Sequence, residues 1–198
     1  MSRAFVLGNG RSRLNVDLNQ LKRHGKIYGC NALYREFEPD FLIAVDPKMI
    51  IEICDAKYQL THEVWTNPNT RYKQYQNVNF FKNPRGWSSG PTALLKSCMD
   101  GGFKQIFILG FDYHGINDQH FNNVYADTVN YKKSDEPATY YGNWLKQTEH
   151  TMREFPHIYF YRVIDSTVKE ITEWKGLNNF KHIAYEDFRN MLGMPEKS

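Results

Sequence analysis

The segment that most constrains this chain is Ala4-Phe5-Val6-Leu7-Gly8-Asn9-Gly10-Arg11-Ser12, a short apolar run that breaks into a Gly-x-Gly turn. A buried strand ending at once in such a turn begins a doubly wound α/β domain whose first strand-to-helix connection approaches a phosphate or sugar. Gly8 and Gly10 let the backbone come close, and the amides beyond them, with Asn9 and Ser12, can face an anion. A third fingerprint glycine would fall where Arg13 stands, which argues against a nicotinamide dinucleotide. A tight turn without a ligand is the plain alternative. The rest of the chain decides between the two.

Apolar runs alternate with helical ones through the first two-thirds of the sequence. Strands are predicted over 4–7, 26–30, 41–45, 63–66, 79–82 and 105–109, with a last one over 158–162. Helices are predicted over 18–24, 32–37, 47–56, 92–99 and from Glu136-Pro137 to about Phe155. This order argues for a mostly parallel, doubly wound sheet flanked by helices, a single Rossmann-like α/β domain over 1–198. After Gly110-Phe111-Asp112 the chain turns polar and irregular over about 113–139. A loop of that length in a small domain is functional or disordered, and its tyrosines, histidines and phenylalanines favour an active-site lid. The tail over 194–198 is expected to fray.

Composition removes several function classes. Charged residues are 24% of the chain and nearly balanced at a net +3, too mild for a dedicated nucleic-acid binder. No apolar run reaches membrane-spanning length, and residues 5–7 are too short for a signal segment. Cys30, Cys54 and Cys98 are odd in number and widely spaced, without a zinc or disulfide pattern. A reducing, cytoplasmic setting is the expectation. Aromatic residues, at 15%, suit stacking on a sugar or base, although a core accounts for most of them.

In open α/β sheets the ligand lies beyond the carboxyl ends of the strands. The residues predicted there are Asn9 and Ser12, Asn31, Asp46, Ser88 and Ser89, and Asp112. Asn31 offers a donor and an acceptor to a base edge or sugar hydroxyl, or else caps the next helix. Asp46-Pro47 is a good N-cap, and Asp46 could also accept substrate hydroxyls. Ser88-Ser89-Gly90-Pro91 opens a helix whose amides and dipole suit an anion, with Arg85 upstream to add a charge-assisted contact. Asp112 either joins this rim or orients the loop as a buried acceptor, the second role being favoured. His114 and His120, in the lid, are candidate acid–base groups. No Ser-His-Asp spacing supports a hydrolytic triad.

The ordered set Gly8-Asn9-Gly10-x-Ser12, Cys30-Asn31, Asp46-Pro47, Ser89-Gly90 and Gly110-Phe111-Asp112 resembles the small bacterial sialyltransferases that build lipooligosaccharide. It is also similar to Rossmann-like proteins related to an archaeal-type hydroxymethylpterin diphosphokinase. The resemblance spans roughly residues 4–163. It implies a cytidine nucleotide sugar bound without a metal, with Asn9, Asn31 and Ser88-Ser89-Gly90 at the nucleotide and its phosphate, and leaving-group contacts near His114 and His120. Asp46 stands where those enzymes carry Asn. Their Tyr-x-Gly-His motif resembles Tyr140-Tyr141-Gly142-Asn143, which adds Tyr140 to the binding set and puts Asn143 in place of the catalytic histidine. Either His114, His120 or Asp46 then serves as base, or the chain does other chemistry.

Three functions are expected from these residues. The first is a glycosyltransferase-like enzyme that takes a nucleotide-activated sugar, CMP-linked by resemblance, and a glycan or small-molecule acceptor, with no required cofactor and with oligomerisation open. The second is a magnesium-dependent pterin diphosphokinase-like phosphotransferase, with Asp46 and Asp112 as metal ligands. The third is a non-catalytic nucleotide-binding or assembly protein, an option raised by Asn143.

Overall fold

Eight parallel strands form one sheet in the computed structural model, which describes residues 2–197: β1 (Arg3–Leu7), β2 (Lys26–Cys30), β3 (Phe41–Ile43), β4 (Val64–Thr66), β5 (Val78–Phe80), β6 (Gln105–Leu109), β7 (Tyr159–Ile164) and β8 (Phe180–Ala184). Their order is β5-β4-β3-β2-β1-β6-β7-β8, so the chain winds outward from β1 to one edge and then crosses back to set β6 on the other side of β1. The carboxyl tips of β1 and β6 therefore flank the point at which the winding reverses, where such sheets place a ligand. Register is set by Phe5 opposite Ile27 and Phe107.

The strands are apolar on both faces because helices cover both. Phe5 and Leu7 pack with Phe107 and Leu109 into a core closed by residues from α1 (Leu18–Leu21), α2 (Pro47–Asp55) and α5 (Tyr185–Leu192). Ala4 and Val6 pack with Ile106 and Ile108 on the other face, beneath α3 (Ser89–Asp100) and α4 (Gly142–Glu154). Period-2 alternation along one strand thus feeds two cores. No helix among the described residues is long and apolar enough to cross a membrane.

Several elements depart from the sequence expectation. The helix predicted over 18–24 is α-helical only to Leu21, and residues 31–35 form a 3-10 turn rather than an α-helix. The helix expected from Glu136-Pro137 starts at Gly142, because Glu136 accepts the Phe121 amide at 3.0 Å and Pro137 bridges to His120 in extended pairing. β7 is not the last strand: β8 and α5 come after it. Phe180–Ala184 buries its first and fourth residues and exposes its second and fifth, as an edge strand does. Met194, expected in a fraying tail, is buried, and its amide bonds to the Arg189 carbonyl at 2.9 Å past the left-handed Gly193. Ser198 lies outside the described residues.

The segment over 113–139 runs as expected from the β6 tip across the carboxyl end of the sheet, and it is pinned along its length. Val124 N–H donates to the Asn9 carbonyl at 2.8 Å. The Tyr125 hydroxyl lies between Arg13 (3.0 Å) and Glu36 (2.7 Å). Arg35 donates to Thr128 Oγ1 and the Val129 carbonyl, and Asn130 donates to Glu52.

Candidate functional site

The two glycine-bearing tips touch. Gly8 N–H donates to Leu109 O at 2.8 Å and Gly10 N–H to Gly110 O at 2.9 Å. A Cβ on Gly8 would stand 2.6 Å from Gly110 O, and one on Gly10 would overlap the Asp112 carboxylate. The Gly-x-Gly turn therefore allows close approach of the β6 tip, a neighbour supplied by the fold rather than by a ligand.

Asp112 locks this junction. Its carboxylate accepts Ser12 N–H at 3.0 Å, the Ser12 hydroxyl, and Asn122 Nδ2 at 3.2 Å. Behind it lies Arg162, 1% exposed, which donates to the Phe111 and Asp112 carbonyls at 2.8 and 3.1 Å and to Lys169 O at 2.8 Å. That strap holds Tyr113 in the left-handed region at φ 64, an unfavoured state for a bulky residue. A tight turn results, with His114 N–H on Asp112 O at 2.7 Å. The Tyr113 hydroxyl donates to Thr148 at 2.8 Å, which leaves His114 at the mouth.

Beyond the joined tips lies a cavity whose walls include Gly8, Asn9, Gly10, Asn31, Ser88–Gly90, Asp112 and His114. One wall is the start of α3. Ser88 does not cap that helix with its side chain, and the first internal bond is Thr92 N–H to Ser88 O at 2.9 Å. The Ser89 and Gly90 amides are thus left without intrahelical acceptors. Asn31, at the β2 tip, is held at φ 54, and its Oδ1 is buried with no partner. No Lys or Arg is among the described residues that line the cavity. Burial pushes the Cys30 thiol up to about 12, so this wall residue is no thiolate.

The other sequence candidates fall elsewhere. Asn9 lines the cavity, but its side chain joins the tips of β1 and β2, donating to Cys30 O at 3.0 Å while Arg13 reaches its Oδ1. Ser12 is buried on Asp112. Asp46 caps α2 by accepting Lys48 N–H at 2.8 Å and is not part of the cavity wall. Arg85 forms a bidentate pair with Glu154 at 2.7 and 2.8 Å, away from the wall. His120 is exposed, and its backbone pairs with Ile116 and Pro137. Tyr140, 74% exposed, lines a second hollow with Tyr141, Asp118 and Lys169. His114, Gly115, Ala138 and Thr139 belong to both hollows. Asn143 lines neither. Asp112 has its carboxylate engaged and Asp46 lies outside, so this pair does not fit a magnesium site.

The fold has a solved counterpart. The sialyltransferase CstII from Campylobacter jejuni, solved with the substrate analogue cytidine-5'-monophosphate, superposes with a TM-score of 0.53 at 15% identity, over 82% of this chain and 79% of that one. The likeness is one of fold. An alpha-2,3/8-sialyltransferase CstII variant aligns at 14% identity over 81% of each chain, with a TM-score of 0.44. No family model and no curated protein sequence matches. The CstII structure solved with cytidine-5'-monophosphate supports a sialyltransferase-like fold, and not the pterin diphosphokinase-like relatives.

The sequence assigns no role to Arg13, Arg162 or Tyr141. Arg13, 2% exposed, ties Gly8 O and Asn9 to Tyr125 of the covering loop. Arg162 sits in an otherwise apolar strand, and that interruption is the one signal the sequence carries for it. Its neighbour His182 accepts from Arg162 and from Ile171 N–H, both at 3.2 Å on Nε2. Burial and then the Arg162 and Lys175 charges push His182 down to about 4 from an ordinary 6.5. The folded state therefore favours neutral imidazole, and its contribution is complete above pH 6.5 and lost as pH falls toward 4. With His182 only part-buried, solvent screening reduces that loss to on the order of 1 kcal/mol. Urea melts between pH 7 and 4 should show His182→Gln losing less stability than the parent; parallel losses would contradict the assignment.

Proposed function

We propose that this protein is a glycosyltransferase-like enzyme that holds the nucleoside monophosphate part of a nucleotide-activated sugar at the tips of β1, β2 and β6. The observation that carries this is the uncapped start of α3, which lines a cavity together with Asn31, whose Oδ1 is buried and unpaired. Two free amides and a helix dipole suit one phosphate group. A diphosphate or triphosphate calls for cations, and the described wall has none. The fold shared with a sialyltransferase solved with cytidine monophosphate supports the same reading.

In this reading the Ser89 and Gly90 amides stabilise charge on the departing phosphate. Asn31 receives a donor from the ribose or base, and the imidazole of His114 stands between donor and acceptor hollows. Calorimetry with CMP, UMP, CDP and GDP tests it. CMP should bind, and Asn31→Gly, which keeps the left-handed backbone while deleting the amide, should weaken it about tenfold, or about 1.4 kcal/mol. Absence of binding by all four nucleotides would remove the basis for the proposal.

A further inference from the structure

A glycosyl transfer at this site needs a group to take the acceptor's proton, and the residue that the sialyltransferase resemblance puts there is Asn143, an exposed amide outside both hollows. An amide is no base at neutral pH. Resting on the function proposed above, we infer that Tyr141 and His114 act together in its place, Tyr141 taking the acceptor's proton while passing its own to His114 Nε2.

The geometry supports this division of labour. The Tyr141 hydroxyl and His114 Nε2 are 3.1 Å apart, with ring centroids 4.6 Å apart and planes inclined at 49°. Tyr141 lines the second hollow but not the cavity at the α3 start, whereas His114 lines both. The phenol is thus on the side left for an acceptor, and the imidazole stands between acceptor and nucleotide. Tyr141 directly precedes α4 and its carbonyl accepts Leu145 N–H at 3.1 Å, so the first helical turn sets its backbone. His114 is set by the strained Tyr113 turn and the Arg162 strap. With the proton on Nδ1, Nε2 is the acceptor for the Tyr141 hydroxyl.

Burial favours the neutral form of His114, the form a base must have. Burial is the largest effect and lowers its pKa below 6.5, with Lys169 and Arg162 acting in the same sense. The Asp112 backbone and Asp118 oppose them, and Asp118 is itself paired to Lys169.

The step balances without a further reactant. The acceptor oxygen bonds to the anomeric carbon, and the bond from that carbon to the phosphate oxygen breaks, its electron pair leaving with the nucleoside monophosphate. The acceptor's proton moves to the Tyr141 oxygen and the phenolic proton to His114 Nε2. The resulting imidazolium lines the same cavity as the start of α3, where its positive charge favours a departing phosphate.

The test uses the full chain, with CMP binding measured by calorimetry and CMP release measured from CMP-N-acetylneuraminate with a lactoside acceptor. Tyr141→Phe and His114→Gln should each slow release about 10²-fold, and the double variant should be no slower than either alone. CMP affinity should stay within about threefold of the parent in all of them. The parental rate should fall as pH drops through the depressed His114 pKa, and Tyr141→Phe should lose that acid limb, which a merely structural tyrosine would leave in place. Asn143→Ala should leave the rate unchanged. A Tyr141→Phe protein that keeps the rate or the acid limb overturns the pair while leaving the nucleotide site intact. So does a strong loss in Asn143→Ala, or CMP binding with no release by the parent. Failure to bind CMP overturns both the pair and the function on which it rests.

Discussion

Gly110→Ala is expected to lower stability by about 3 kcal/mol, through backbone strain and a clash that nothing flexible can relieve. Gly110 has φ +71, and an added Cβ would stand 2.5 Å from the carbonyl oxygen of Gly8. Both atoms of that clash belong to strand tips whose neighbours are hydrogen-bonded across the same junction. Gly193→Ala is the internal control, since Gly193 is left-handed at φ +65 and ψ 33 with nothing within 4 Å of the added Cβ. It carries the conformational cost alone, about 1–2 kcal/mol. Chemical denaturation of the two variants separates close approach from backbone strain. Equal losses would mean that the β1 and β6 tips do not meet as described. For a chain of this size 3 kcal/mol corresponds to a fall in Tm of about 6–12 °C.

Asp112→Ala should cost about as much, by a different route. The carboxylate satisfies the Ser12 amide, the Ser12 hydroxyl and the Asn122 amide in a residue only 5% exposed. Deleting it leaves buried donors unpaired, at about 1–3 kcal/mol for each one that water cannot reach. Asn122 also accepts Arg11 N–H at 2.9 Å and donates to His114 O at 3.2 Å, so the loss spreads into the loop that roofs the cavity. Limited proteolysis should show earlier cleavage within 115–135, alongside a Tm lower by about 6–12 °C. Asp112→Asn keeps one acceptor in place and should lose roughly half as much. A fall of less than 2 °C in the alanine variant would show that Ser12 and Asn122 find other partners.

Part of this site is legible in the sequence. Asn31 and Ser88–Gly90 read as rim members from their position after an apolar run or before a helical one, and they do line one cavity. Position after a strand is a local property, and in a parallel sheet it fixes the end of the molecule at which a residue emerges. Which way a side chain turns there is not local. Asp46 emerges at that end and turns to cap its own helix, while Arg85 swings to Glu154. The pairing of Tyr141 with His114 is invisible in the sequence because the two lie 27 positions apart and meet only through a left-handed Tyr113.

The same boundary runs through the fold. Alternating apolar strands and amphipathic helices required a parallel sheet covered on both faces, because Phe5 with Leu7 and Ala4 with Val6 need separate apolar partners. That much depends on neighbours within a few residues, and the sequence alone determined it. Tertiary structure decided where α4 begins, since the pull of Glu136 and Pro137 into pairing with Phe121 and His120 overrides a good helix start. It also decided the use of the opening glycines. A turn that can approach a phosphate can equally approach another backbone, and only the placing of β6 beside β1 put the Gly110 carbonyl in the space that their missing Cβ atoms leave.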